Sequence, residues 1–82
     1  MAFYVYILKS LSDNRFYTGS TEDVAGRLKK HNQGKVRSTK SRRPFELIYQ
    51  EVYETRTEAR KRENYLKSGA GRRFLLNKLG CK

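Results

Sequence analysis

Acidic residues, cysteine, proline and tryptophan are all scarce in this chain. It holds no tryptophan, one cysteine (Cys81), one proline (Pro44) and one histidine (His31), and its 8 Asp and Glu face 19 Lys and Arg. A single cysteine can build neither a disulfide framework nor a cysteine-based zinc site, which points to a reducing, cytoplasmic setting. Long hydrophobic runs are missing too. The longest, "MAFYVYIL" with "FYVYIL" as its centre, is too short for a signal-peptide core or a membrane span, and "FYVYIL" reads as a strand. With no targeting segment and no amphipathic helix with a broad apolar face, no membrane partner is expected. Internal repeats and low-complexity stretches are absent as well.

What is present is charge and patterned aromatics. The 82 residues suit one domain over 1–82, because a chain of this size buries only about 60 to 65% of its unfolded surface and cannot supply two cores. At 37% hydrophobic and 33% charged, with the apolar residues in runs, the chain is expected to be globular rather than disordered. A net charge of +11 on so small a surface calls for a polyanionic partner, and nucleic acid is the first candidate.

Residues 2–9 alternate Phe3, Val5, Ile7 with Tyr4, Tyr6, Leu8, the pattern of a central strand covered on both faces. "LSDN" supplies a turn and residues 15–20 a second strand, giving an antiparallel hairpin. A helix is predicted over about 21–32, opened by a capping box from Ser20 to Asp23 and closed at "NQG". "KVRSTKSRRP" lacks acids and apolar periodicity and reads as a basic loop; "FELIYQEVY" is the third strand. A second helix starts near Thr55, with a capping box to Glu58, and runs to about Lys67. After "SGAG", the segment "RRFLLNKL" forms a short third helix. The class is α+β, in the order β-β-α-β-α-α.

These spacings gather a set of polar side chains. A four-residue turn at 11–14 sets Leu8 opposite Tyr17, which puts Tyr6 and Tyr17 on one face of the hairpin. On the first helix Arg27 and His31 share the stripe of Val24 and Leu28. On the second, Glu63 lies between Ala59 and Leu66, a carboxylate on a core stripe. Each alone also has a structural reading: Arg27 snorkels, His31 caps the helix end or bonds a carbonyl, and Glu63 pairs with a neighbouring arginine. Together, expected on one side of the sheet in a very basic chain, they suit phosphodiester hydrolysis, which needs a base, a cation for developing phosphorane charge and a metal site. One carboxylate fits Mg²⁺, which keeps waters and takes substrate oxygens. A tyrosine base requires nearby positive charge, here Arg27 and the metal, to lower its pKa.

"VYI" and "YTG", followed by "RLKKHNQG" and "RENYLK", resemble the GIY-YIG endonuclease superfamily, most closely its small stand-alone members similar to the nuclease domain of the excision-repair subunit. The resemblance runs from about Phe3 to Leu79. It implies a three-stranded antiparallel sheet flanked by helices and a metal-dependent endonuclease, with DNA repair as the process. It further implies Tyr6 as general base, Tyr17 assisting it and holding water, Arg27 stabilising the phosphorane, His31 in positioning or proton transfer, and Glu63 holding a divalent metal, Mg²⁺ or Mn²⁺. A late asparagine of the family falls near Asn77. Tyr4 and Thr18 replace a glycine and an isoleucine of the two motifs, whereas Gly19 is kept, consistent with close backbone approach beside the site.

Two basic tracts, Lys35, Arg37, Lys40, Arg42 and Arg43, then Arg60, Lys61, Arg62, Lys67, Arg72 and Arg73, could flank the site and bind phosphates without reading sequence. DNA is expected ahead of RNA. Two other functions fit the same residues: a non-catalytic nucleic-acid-binding module, and an interaction domain recruited to a larger repair complex.

Overall fold

The computed structural model describes residues 2–79; Cys81 lies outside them. In chain order the elements are β1 (Phe3–Ser10), β2 (Phe16–Thr21), α1 (Val24–Asn32), a 3₁₀ segment (Arg37–Arg42), β3 (Phe45–Tyr53), α2 (Arg56–Lys67) and α3 (Gly69–Leu79). The sheet order is β2-β1-β3 and both pairings are antiparallel. The two-sided apolar pattern of β1 thus has its cause: it is the central strand, and Val5, Tyr6, Ile7 and Leu8 are all buried.

Each face of β1 carries its own core. Val5 and Ile7 pack with Ala59, Leu66 and Leu75 beneath α2 and α3, whereas Tyr6 and Leu8 pack with Phe45, Val24 and Leu28 beneath α1. Burying an aliphatic side chain of this kind stabilises the fold by about 1.5 to 3 kcal/mol. A bulge lies between Ile7 and Leu8, where the partners step from Tyr49 to Leu47. The extra residue, Ile48, joins Tyr49 on the α2/α3 side. On that side Glu51 of β3 accepts hydrogen bonds from Tyr49 and Tyr53 (2.5 and 2.6 Å) and from both Nε and a terminal nitrogen of Arg62 on α2 (2.9 and 3.1 Å). Burial pushes the Glu51 carboxyl up, but these donors outweigh it and hold the group below its ordinary range. The network ties α2 to β3 one residue before Glu63.

Three boundaries differ from the sequence reading. α1 begins at Val24, not near residue 21, because Asp23 is its N-cap and accepts from the Gly26 amide at 3.0 Å. Ser20 takes no part in capping: it sits in β2 opposite Val5. The basic loop contains the 3₁₀ segment, which buries Thr39 completely. α3 opens at Gly69 rather than at Arg72, since Ser68 caps it through its hydroxyl to the Gly71 amide (3.2 Å) and its carbonyl to the Arg72 amide (2.9 Å). The glycines belong to the helix for a steric reason. A Cβ on Gly71 would stand 2.0 Å from the Tyr65 carbonyl oxygen and 2.4 Å from the Leu66 Cα, so only glycine lets the two helices come this close.

Candidate active site

The hairpin register is Leu8 opposite Tyr17 and Tyr6 opposite Gly19, as the turn length requires. Tyr6 and Tyr17 therefore project from one face, with ring centroids 6.3 Å apart. α1 lies over that face and brings His31 down between them, 4.8 Å from the Tyr17 ring centroid. Gly19 makes the approach possible. A Cβ there would lie 2.5 Å from the Tyr6 hydroxyl and 2.7 Å from its Cζ, so the close approach foreseen at this glycine is that of the Tyr6 phenol.

A buried chain of hydrogen bonds leads inward from the phenol. The Tyr6 hydroxyl is 3.2 Å from His31 Nε2, and His31 Nδ1 is 2.7 Å from the Thr39 hydroxyl. Thr39 donates to the Val36 carbonyl at 3.3 Å, so its oxygen is left to accept from Nδ1–H. This assigns the tautomer: Nε2 is bare and accepts from Tyr6. Burial, with help from the Arg27 charge, holds the His31 pKa below its usual value and keeps the ring neutral.

The Tyr6 pKa departs from the sequence expectation. Burial raises it and Tyr17 adds to the rise; contact with Arg27 pulls the other way but does not prevail. Arg27 itself is held more firmly protonated, first by its contact with Tyr6. Beside Arg27 alone the phenol is neutral, and His31 Nε2 is the acceptor within reach of its proton.

Glu63 corrects a second expectation. It does not share a face with the tyrosines: α2 covers the opposite side of the sheet, and Glu63 reaches the cleft around the edge of β2. Its Oε1 accepts from the Ser20 hydroxyl at 2.7 Å and its Oε2 from Lys67 Nζ at 2.7 Å. The anticipated arginine partner is replaced by a lysine four residues on. Tyr6, Tyr17, Gly19, Ser20, Arg27, Arg60, Glu63 and Asn64 line one open cleft, in which Glu63 is the only carboxylate. Among the described residues no group of three or more His, Cys, Asp and Glu could hold a metal. The donor set still fits a divalent ion of the Mg²⁺ type, which needs one carboxylate, waters and substrate oxygens. A cation, the Lys67 ammonium, already rests on that carboxylate.

The basic residues divide. Lys35, Arg37, Lys40, Arg43, Lys67, Arg72 and Arg73 are exposed. Arg62 is not available in the same way, because it is engaged by Glu51 and lies over the Tyr65 and Phe74 rings. Arg42 bonds Asp13 at 3.2 Å and faces the Phe16 carbonyl. Asn77 is exposed on α3 and outside the cleft, whereas Asn64 lines it. A second, broader groove runs along the other side of β2, with Lys9, Arg15, Lys67 and Arg72 on its walls and Tyr17 common to both. Sequence reasoning passed over Thr39, Ser20, Asn64, Lys9 and Arg15, and placed Arg60 in a flanking basic tract rather than in the cleft it lines. Thr39 carried no signal in a stretch without periodicity, and Ser20 was assigned to a cap.

Fold and cleft define a class of nucleic-acid-cleaving domains, the GIY-YIG nucleases. A family model described as the GIY-YIG catalytic domain matches residues 2–77, and the chain belongs to this family. Within it the chain is similar to UPF0213 proteins. It is 52% identical over 66 residues, 79% of either chain, to UPF0213 proteins of Staphylococcus aureus strains Mu3 and Mu50. A solution NMR structure of a UPF0213 protein from Bacillus halodurans superposes with a TM-score of 0.59 at 37% identity, covering 99% of this chain and 88% of that one. GIY-YIG nucleases act on nucleic acid and are generally dependent on divalent metal. No helix among the described residues is long and apolar enough to cross a membrane.

Proposed function

We propose that residues 1–82 form one nuclease domain, a metal-dependent endonuclease that hydrolyses phosphodiester bonds in DNA by a proton relay from water through Tyr6 to His31. The observation that carries this reading is the Tyr6–His31–Thr39 chain at 3.2 and 2.7 Å. A neutral phenol with a raised pKa is a poor proton acceptor, but it need not ionise beforehand: Tyr6 takes a proton from water as it gives its own to Nε2. Thr39 holds the ring so that Nε2 faces the phenol, the part an orienting third residue plays in other base relays. The lowered pKa of His31 keeps it neutral and ready to accept near pH 7.

Tyr17, at the mouth of the cleft, positions the water beside Tyr6. Arg27, fixed against the phenols, faces the equatorial oxygens on which negative charge develops, and it remains charged throughout. Glu63, oriented by Ser20, would hold the divalent ion, Mg²⁺ or Mn²⁺, which supplies Lewis-acid charge to the phosphate and the leaving oxygen when bound. The exposed cations on the 3₁₀ segment, α2 and α3 would neutralise flanking phosphates. A cytoplasmic repair setting, with recruitment to a larger complex, suits a chain with so small a catalytic domain and is proposed by family analogy.

The test is cleavage of labelled branched, nicked and single-stranded DNA with Mg²⁺ or Mn²⁺ by the wild-type chain, Tyr6→Phe, His31→Gln and Glu63→Ala, each verified as folded. Metal-dependent cutting that all three substitutions abolish is the expected result. DNA binding that ignores metal, with no cutting by any chain, would leave instead a basic nucleic-acid-binding module on a nuclease fold.

A further inference from the structure

The pair Glu63–Lys67 straddles the two grooves. Glu63 lines the cleft with the phenols, while Lys67 lines the broader basic groove on the far side of β2, beside Arg72 and Arg15. Both oxygens of the carboxylate are engaged, one by Ser20 and one by the ammonium, each at 2.7 Å. The two partners differ in freedom. Glu63 is held by a hydroxyl on a strand and its side chain is 18% exposed, whereas the Lys67 side chain is 52% exposed on a four-carbon stem.

We infer that Lys67 is a displaceable counter-ion, resting on Glu63 until a divalent cation takes its place and then passing to a substrate phosphate in the adjoining groove, so that metal and nucleic acid load cooperatively. This rests on the reading of Glu63 as the metal ligand. A divalent ion held by the Glu63 carboxylate would repel the ammonium resting there, and the cleft already holds Arg27 and Arg60, so the mobile cation would leave. Departure is easy, because an exposed Glu–Lys pair at this helical spacing is a weak interaction. The released charge has somewhere to go. In the basic groove it meets phosphate in place of carboxylate, and a bound phosphate in turn draws it off Glu63. Linkage then requires that nucleic acid tighten metal binding by the same factor as metal tightens nucleic-acid binding.

The experiment follows free Mn²⁺ by its electron paramagnetic resonance signal, with the full chain titrated alone and with a short DNA oligonucleotide. It uses the Tyr6→Phe background, and the strand is checked as intact afterwards. Lys67→Met should tighten Mn²⁺ binding about two- to fivefold without DNA, the size of effect that an exposed pair supports, and should reduce the tightening that DNA brings by the same factor, leaving the part that substrate oxygens on the ion contribute. Lys29→Met, the same charge change at an exposed position of α1, should behave as the parent chain in both respects. Equal Mn²⁺ affinities for Lys67→Met and Lys29→Met, or DNA-dependent tightening as large in Lys67→Met as in the parent chain, would overturn the inference while leaving Glu63 as metal ligand. Mn²⁺ binding that is indifferent to Glu63→Gln would overturn both.

Discussion

Gly19→Ala isolates what the close approach of Tyr6 to β2 is for. Glycine in a strand is intrinsically poor, so alanine there would ordinarily stabilise by about 0.5 to 1 kcal/mol. Here the added Cβ stands 2.5, 2.7 and 3.1 Å from the Oη, Cζ and Cε1 atoms of Tyr6. Relieving those contacts requires a retreat of roughly 1 Å, and the ring has little room. It is 1% exposed, and its hydroxyl is bonded to a histidine that is fully buried. Overpacking of this kind costs about 1 to 3 kcal/mol, which reverses the sign expected of the strand alone. A base displaced by about 1 Å loses on the order of 100-fold in rate. Urea unfolding gives the first quantity and single-turnover cleavage the second; the ring signals of His31, the only histidine, report by NMR whether its bond to Tyr6 has changed. The stability loss should shrink in a Tyr6→Phe background, where the nearest atom of the clash is gone. A Gly19→Ala chain that is more stable than wild type, cuts at an equal rate and leaves the His31 signals unmoved would refute the steric account of the site.

Gly71→Ala meets backbone rather than a side chain, the Tyr65 oxygen at 2.0 Å and the Leu66 Cα at 2.4 Å. It should cost about 3 kcal/mol and lower Tm by roughly 10 to 20 °C in a thermal melt. Glu51→Gln leaves Arg62 without its charge partner and at least one tyrosine hydroxyl poorly matched. A loss of about 2 to 3 kcal/mol in urea unfolding is expected. The same change should lower the alkaline titration of Tyr53, which burial and then Glu51 push up to about 12, as ultraviolet absorbance can follow. His31 gives a pH signature. Its folded pKa lies below its ordinary value of 6.5, so the unfolded chain binds the proton first. Stability is then fully present above about pH 6.5 and falls as pH drops toward the folded pKa. Unfolding free energy measured between pH 7.5 and 5 should show this slope in wild type and lose it in His31→Gln; an identical slope in both would refute it.

Strands were the most legible part of the fold, because β1 advertises two buried faces in six consecutive apolar or aromatic residues and β3 ends where its pattern ends. The hairpin register followed from turn length alone. Helix starts were less legible. Ser20 and Asp23 both suit an N-cap, and only the strand pairing of Ser20 with Val5 decides between them. The glycines of "SGAG" look like a break from local propensity, yet they are admitted to α3 by a close crossing that no local pattern encodes. In the site, Tyr6, Tyr17, Arg27 and His31 could be gathered from periodicity. Glu63 could be identified as an anomaly on its helix but not placed, since which face α2 covers is a matter of topology. For a related reason the sequence shows the arginine beside Tyr6 but not the burial that outweighs its pull.

β2 is an edge strand of six residues, bonded on one side only, and it is all that separates the Tyr6–His31–Thr39 hydrogen-bond chain from the Glu63 carboxylate. Tyr17 and Gly19 shape one flank and Ser20 the other. Fraying of this single ribbon would therefore dismantle both halves of the chemistry at once, while the two cores on β1 stayed folded. On the proposed mechanism, competence for cleavage would be a local property with its own opening free energy, smaller than that of the whole domain. Amide hydrogen exchange at Thr18 to Ser20 would measure it directly, and a ligand bridging the two flanks would act as a clasp, slowing that exchange without touching the rest of the sheet.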